Sequence, residues 1–87
     1  MSVFMVERDL KGITMDALGA AQQAAIKQGQ KMTAEGTPVR YIRSTFAPDD
    51  GRCFCLFEGT SAADIKRLND DARIPYFRVA EALDLTP

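Results

Sequence analysis

The segment from Arg52 to Glu58 has the composition of a β-strand that is apolar on both of its faces. A strand with one face in water should alternate apolar and polar residues. Alternate residues share a face, so the two apolar sets are Phe54 and Leu56 on one side and Cys53, Cys55 and Phe57 on the other. A chain of 87 residues looks too short to cover both faces alone. The pattern therefore predicts that a second copy of the protein covers one of them.

Length and charge predict one small domain, residues 1–87, and give no sign of a nucleic-acid or membrane partner. Eleven Lys and Arg residues against twelve Asp and Glu residues give a net charge of −1, which argues against a polyanionic partner. No apolar run approaches the roughly 20 residues that span a bilayer. The first residues lack the basic start of a signal peptide. We expect a cytoplasmic protein.

The two cysteines of the chain, Cys53 and Cys55, lie one residue apart. On a strand their Cα atoms would be about 6.5–7 Å apart, which is at or beyond the limit for a disulfide. Two reduced thiols in a reducing compartment are therefore expected. The chain has no histidine, and so it lacks the commonest metal ligand and the commonest general base.

Hydrophobic periodicity and capping residues predict six elements. They are a strand at 2–8, a helix at about 15–35 after Thr14, strands at 39–47 and 52–58, a helix after Ser61, and a strand at 76–85. Gly36 is expected to end the first helix, and Pro75 to stop the second. The segment Pro48-Asp49-Asp50-Gly51 predicts the turn of a hairpin between the two middle strands.

The order strand, helix, strand, strand, helix, strand is that of the ferredoxin-like α+β fold. The right-handed crossover rule places both helices on one face of a four-stranded antiparallel sheet. We call the other face of the sheet the open face. It is bare in a single subunit, and we expect a homodimer to cover it.

Strand alternation assigns residues to the open face once Phe54, Leu56 and Ile42 are taken to point toward the helices. The open face would then carry Val3, Met5, Glu7, Tyr41, Arg43, Thr45, Cys53, Cys55 and Phe57, with Glu81 as a further candidate. This mixture suits a sheet-to-sheet interface that encloses a small pocket. An ordinary dimer core, in which Glu7 and Arg43 neutralise each other, explains it as well.

Cys53 and Cys55 allow three interpretations. Two thiolates on one strand face could hold a soft metal such as zinc or nickel, completed by a carboxylate or by the partner's thiols. Free cysteines in strands are more often small core residues. Nucleophilic catalysis by Cys55 is disfavoured because no histidine can activate it, although a nearby Arg43 could lower the pKa of the thiol.

Four segments resemble the small proteins of domain-of-unknown-function family 4242, which are often labelled nickel-binding. They are Phe4-Met5-Val6-Glu7-Arg8-Asp9-Leu10, Tyr41-Ile42-Arg43-Ser44-Thr45-Phe46, Cys53-Phe54-Cys55-Leu56-Phe57-Glu58 and Ala72-Arg73-Ile74-Pro75. The resemblance implies a ferredoxin-like fold that pairs into a dimeric α/β barrel, and binding of nickel or another divalent metal. It also implies pocket residues at Glu7, Ser44, Cys55 and Glu58. Strand alternation places Glu58 opposite Cys55, so this set conflicts with a regular strand.

Three functions remain open at this point. The first is a dimeric ligand- or metal-binding module with its pocket on the open face, and the second is a small enzyme in which a buried Glu7 acts as general base. The third is a structural or regulatory dimer. For the interface itself, the assignment of Phe57 to the open face predicts that Phe57→Asp gives monomeric or insoluble protein.

Overall fold

A computed structural model describes all residues from Met1 to Pro87. The elements are β1 (Ser2–Asp9), α1 (Met15–Ala34), β2 (Val39–Ala47), β3 (Arg52–Gly59), α2 (Ala62–Asp71) and β4 (Arg78–Ala82). The four strands form one antiparallel sheet in the order β2-β3-β1-β4. The ferredoxin-like α+β order predicted from the sequence is confirmed. No helix is both long and apolar enough to span a membrane.

Both helices begin where the sequence predicts. Thr14 Oγ1 accepts a hydrogen bond from the Ala17 amide at 3.1 Å, and Ser61 Oγ accepts one from the Asp64 amide at 3.2 Å. These bonds satisfy amides that have no partner within their helices. Gly36 follows α1 with a φ of +102°, the left-handed conformation that commonly ends a helix.

Helix α1 packs close to the sheet at Ala25 and Gly29, the two small residues of a buried stripe that also contains Leu18 and Met32. A Cβ atom added at Gly29 would lie 3.4 Å from the Val39 carbonyl oxygen, so this position touches strand backbone. Helix α2 contributes Ile65 and Leu68, which are fully buried. The core therefore lies between the helices and one face of the sheet.

The prediction that Phe54 and Leu56 face the helices is wrong. Cys53, Cys55 and Phe57 are buried on the helix side, where Phe57 lies opposite Phe4 of β1. The reason lies at the ends of the strand. The residues in phase with Phe54 include the charged Arg52 and Glu58, whereas the residues in phase with Phe57 are uncharged and end at Gly59.

Gly59 also determines how closely α2 approaches the sheet. A Cβ atom there would lie 3.0 Å from Ile65 Cδ1 and 3.3 Å from Val39 Cγ1. The side of β3 that ends in glycine is therefore the side on which α2 can pack. With the opposite assignment, Glu58 would occupy this contact as a buried charge, which is costly.

A β-bulge at Ile42 overturns the predicted position of Tyr41. The register with β3 shifts between Tyr41 and Arg43, so one residue of β2 is left unpaired. Tyr41 then lies opposite Phe57 on the helix side, and its ring meets the Phe57 ring edge-on at 5.5 Å between centroids. Arg43 and Thr45 stay on the open face, as predicted.

Strand β4 is shorter than predicted, because it spans Arg78–Ala82 rather than 76–85. Glu81 lies opposite Phe4 in the register, so it shares the helix side and does not belong to the open face. It is exposed, because β4 lies at the edge of the sheet. The residues of β4 on the open face are Arg78, Ala80 and Ala82, which pair with Glu7, Met5 and Val3.

Candidate functional site

Arg8 is a buried cation beneath the helices. It shares a face of β1 with Phe4 and Val6, which directs it into the helix-side core, where it is 2% exposed. No carboxylate lies within ion-pairing distance of its guanidinium. A buried charge is costly unless another group compensates it. The identity of that group defines the chemistry of the site.

Three acceptors surround the Arg8 guanidinium. Nη2 donates to Asn69 Oδ1 of α2 at 2.6 Å, and Nη1 donates to the Pro75 carbonyl oxygen at 3.2 Å. Nε donates to Cys55 Sγ at 3.3 Å. Asn69 is itself fully buried and held by a 2.8 Å hydrogen bond from Nδ2 to the Ile65 carbonyl oxygen. Of the three acceptors, only the sulfur of Cys55 can carry a negative charge.

Cys55 receives hydrogen bonds from three sides. Besides Arg8 Nε, Ser44 Oγ lies 2.9 Å from its sulfur, and the sulfur of Cys53 lies 3.7 Å away. Each of these groups can donate to a thiolate. Cys55 is 5% exposed. The arrangement is that of a buried thiolate with a guanidinium as its counter-ion.

The charges and donors around the two thiols shift their pKa values in opposite directions. The hydrogen bond from Cys53, the positive charge of Arg8 and the hydroxyl of Ser44 lower the pKa of Cys55 to about 5, against the opposing effect of burial. The hydrogen bond to Cys55, burial and the charge of Cys55 raise the pKa of Cys53. At neutral pH, Cys55 is the thiolate and Cys53 the thiol that donates to it.

A chain of side-chain hydrogen bonds connects Cys55 to α1. Gln22 Nε2 donates to Tyr41 Oη at 2.8 Å, and Tyr41 Oη lies 2.7 Å from Ser44 Oγ. Since Ser44 donates to Cys55, the hydroxyl of Tyr41 is left to donate to Ser44. The bulge at Ile42 makes this possible, because it brings Tyr41 and Ser44 to the same side of β2.

A small cavity adjoins these groups. Its volume is about 10 Å³, close to the minimum for one water molecule. Polar side chains of Arg8, Gln22, Tyr41 and Ser44 line it together with both thiols, and the rest of the wall is apolar. The cavity can therefore admit only a very small molecule to Cys55.

The open face has a different character. Its central side chains are half-buried and apolar: Val3, Met5, Phe54, Leu56, Ala80 and Ala82. Charged residues stand among and around them in ion pairs. Arg78 Nη1 lies 2.9 Å from Glu7 Oε1, and Arg40 Nε lies 3.5 Å from Glu58 Oε1.

A third ion pair joins Arg43 of β2 to Asp84, which follows β4. These strands are the two edges of the sheet, and adjacent strands lie about 4.8 Å apart, so about 14 Å separates them. The pair requires the residues after Ala82 to turn across the open face. We call residues 83–87 the tail. Leu83 and Leu85 of the tail are 80% and 82% exposed.

The predicted pocket residues therefore separate into two groups. Tyr41, Ser44, Cys53 and Cys55 meet on the helix side, whereas Glu7, Arg43 and Glu58 lie on the open face and Glu81 stands apart from both. No bulge in β3 reconciles Glu58 with Cys55, because they lie on opposite faces. Sequence reasoning missed Arg8, Asn69 and Gln22. Arg8 could have been found, because it is in phase with Phe4 and Val6.

The side chains that the fold brings together do not fit nickel or zinc. No three Cys, Asp or Glu side chains lie close enough together to hold one ion. Of the two predicted metal ligands, Cys55 is already paired with Arg8. The pocket carboxylates Glu7 and Glu58, which could complete a site, are paired with Arg78 and Arg40. At Cys53 and Cys55, a metal cation would also have to bind beside the guanidinium of Arg8, which repels it.

The largest surface depression is a groove of about 580 Å³ between α1 and β2. Ile26, Gly29, Thr33 and Val39 contribute to its wall, and its charged groups, Arg40 and Glu58, pair with each other. The groove has the volume of a ligand pocket. It brings no reactive side chains together.

Comparison with known proteins agrees with this fold. The crystal structure of SCO4226 from Streptomyces coelicolor A3(2) matches with a TM-score of 0.81 and 26% sequence identity, over 99% of this chain and all of that chain. No curated protein matches the chain. A family model described as "Nickel responsive protein SCO4226-like" matches residues 4–81. The chain therefore belongs to the SCO4226-like family.

Proposed function

We propose that this protein is a homodimeric binding module of the cytoplasm, in which two copies pack their open faces into an α/β barrel and enclose a pocket for a small ligand. One observation carries the proposal: the open face is apolar at its centre, where Glu7, Arg43 and Glu58 are paired within the chain, while the unpaired Asp9 and Arg52 are exposed at the end of the sheet. Burial of apolar surface drives association. Self-association of the centre of this face therefore buries no charge without a partner, which would otherwise oppose it.

The ligand that suits this surface is small, largely apolar and uncharged. The three pairs Glu7–Arg78, Glu58–Arg40 and Asp84–Arg43 contribute no net charge, so they favour neither an anion nor a cation. Exposed leucines of the tail add apolar surface beside the pocket. A binding role is better supported than general-base catalysis by Glu7, because Arg78 occupies an oxygen of that carboxylate.

Nickel is indicated by the description of the family, whereas the side chains of this chain form no site for it. We therefore assign no resident metal ion to a single subunit. Elemental analysis after incubation with excess nickel and gel filtration tests this assignment. A stoichiometric, retained metal would contradict it.

Native mass spectrometry and light scattering test the dimer. We expect the wild type to be a dimer, Leu56→Asp to be a folded monomer, and Ala63→Asp, which adds the same charge at an exposed position of α2, to remain a dimer. A wild-type monomer, or an unchanged dimer of Leu56→Asp, would overturn the proposed interface.

The ligand is tested with the same purified protein. We expect a small molecule to be retained by the dimer and to be absent from Leu56→Asp. Gln30→Trp, which fills the groove between α1 and β2, is the matched control and should keep the ligand. A dimer that retains nothing, or loss of the ligand in Gln30→Trp alone, would refute a pocket between the sheet faces.

A further inference from the structure

The proposed dimer leaves the Cys55 site unused, because Cys55 lies on the helix side of the sheet and away from the open face. Arg8, Ser44 and Cys53 form a preorganised set of donors around its sulfur, and Tyr41 is hydrogen-bonded to Ser44 behind them. If Cys55 had only a structural role, an ordinary buried thiol such as that of Cys53 would be sufficient. The charge of Arg8 instead requires a nucleophilic form of sulfur in the interior.

We propose that Cys55 is a site of oxidation by hydrogen peroxide, which converts its thiolate to a sulfenate that stays paired with Arg8. The sulfur attacks one peroxide oxygen and the O–O bond breaks. The other oxygen leaves with both protons as water. Sulfur loses two electrons and the peroxide gains them, so the step needs no other reactant. The negative charge beside Arg8 is kept.

The cavity selects the oxidant. With about 10 Å³ next to both thiols, it holds little more than one water molecule. Hydrogen peroxide is small and uncharged, so it can enter with slight widening of the wall, whereas bulky or anionic oxidants such as glutathione disulfide are excluded. The Ser44 hydroxyl and the Arg8 guanidinium already donate to the sulfur, so they adjoin the reacting atoms and can stabilise the departing oxygen.

Cys53 does not resolve the oxidised sulfur. Both cysteines lie on the regular part of β3, where residues two apart hold their Cα atoms about 6.5–7 Å from each other. A disulfide would demand distortion of a central strand, even though the two sulfurs approach to 3.7 Å. The oxygen therefore remains on Cys55, and reversal requires an external thiol or reductant.

The dependence of the oxidation rate on pH distinguishes this site from an ordinary cysteine. The titratable or charged groups that face Cys55 are Arg8 from β1, Tyr41 from β2 and Cys53 from β3; α1 and α2 present only the neutral Gln22 and Asn69. Arg8 keeps its charge, so Cys55 stays ionised across neutral pH. The oxidation rate should be constant between pH 6 and 8, whereas a free thiol in that range gains up to about tenfold per pH unit from ionisation.

The test uses the intact wild-type protein. After exposure to hydrogen peroxide for graded times, catalase stops the reaction and the chain is unfolded in the presence of dimedone. Peptide mass spectrometry then locates the adduct. We expect labelling at Cys55 with a flat pH profile. In Cys53→Ala, which removes one donor to the sulfur but keeps Arg8, the adduct should still form at Cys55.

Three results would overturn the proposal: a Cys53–Cys55 disulfide as the main product, equal labelling of both cysteines, or a rate that rises about tenfold per pH unit. Arg8→Met provides a second measurement. Without the guanidinium, the thiolate loses its counter-ion, so the pH profile should become steep. These outcomes are independent of the oligomeric state, so failure of the proposed dimer would not affect them.

Discussion

Arg8 Nε and Cys55 Sγ lie 3.3 Å apart and form an ion pair that bridges the two central strands of the sheet. The pair replaces the carboxylate that a buried guanidinium usually requires. Because Arg8 also contacts Asn69 of α2 and the Pro75 carbonyl oxygen, it ties the sheet to the second helix and to the segment before β4. Stability and thiol chemistry are therefore coupled in one cluster.

The first prediction concerns pH. The pKa of Cys55 is about 5 in the folded chain and near 9 for a free thiol, so between these values the unfolded chain binds one more proton than the folded chain. The free energy of unfolding should therefore rise with pH from 5 to 9, by at most about 1.4 kcal/mol per unit, and be lost as pH falls through 5. Urea denaturation at several pH values measures it.

The chain is well suited to this measurement, because it has no histidine to titrate in the same window. Above pH 9 the trend should reverse, because the pKa of Cys53 is raised in the folded chain and the unfolded chain then loses its proton first. The double variant Arg8→Met with Cys55→Ala removes both partners and should flatten the profile between pH 5 and 9. An equal slope in that variant would show that other groups cause it.

A second prediction concerns Asn69. Asn69→Leu conserves volume but leaves Arg8 Nη2 without an acceptor, so we expect a loss of about 2–3 kcal/mol in the free energy of unfolding. Asn69→Asp keeps an acceptor and should lose less, while its carboxylate competes with Cys55 for Arg8. Denaturation curves of both variants measure these losses. Equal free energies of unfolding for the two variants would show that the acceptor at position 69 does not stabilise Arg8.

Phe57 gives a third prediction, which corrects the expectation from the sequence. Phe57 is fully buried beneath the helices. Removing such a ring costs about 3–5 kcal/mol, before the cost of burying a charge is added. Since small domains have total stabilities of about 5–15 kcal/mol, Phe57→Asp should unfold the chain rather than give a folded monomer. A cooperative thermal transition in that variant would contradict the assignment of its face.

Gly51 and Gly36 form a matched pair for a fourth prediction. Both have positive φ, +74° and +102°. A Cβ atom at Gly51 would lie 2.4 Å from Lys11 Cα, whereas one at Gly36 would meet no atom within 4 Å. Gly51→Ala should therefore lose about 1–3 kcal/mol more than Gly36→Ala, which carries the backbone strain alone. Chemical denaturation measures the difference, and equal losses would mean that the hairpin turn moves away from Lys11 freely.

The fifth prediction concerns the tail. Asp84→Asn weakens its pair with Arg43, which lies at the surface, so global stability should change by less than about 1 kcal/mol. The backbone of residues 83–86 should nevertheless become more mobile, because the tail loses its attachment to β2, and NMR order parameters measure this. Glu58→Gln, which weakens the pair with Arg40, is the control and should leave the order parameters of the tail unchanged. Unaltered order parameters in Asp84→Asn would refute this attachment.

The order of the elements followed from local signals, because caps, turns and periodicity act within a few residues. The faces of β3 did not, since both of its sides are apolar and a shift of one residue exchanges them. The charged residues at its ends, Arg52 and Glu58, indicate which side of β3 faces away from the helices. The bulge at Ile42 has no sequence signal, and it moved Tyr41 into the Cys55 cluster. Long-range pairs such as Arg8–Asn69 depend on packing that no single segment determines.

That same bulge bears on how copies of this chain can meet. It interrupts the regular ladder on β2, an edge strand that also carries Arg40 and Arg43, while the opposite edge is a strand of only five residues. Short, irregular or charged edges are poor templates for adding further strands. Open-ended, fibre-like stacking through the edges is thereby discouraged. Contacts made through the open face, as in the proposed dimer, would close after two subunits and so favour a finite assembly.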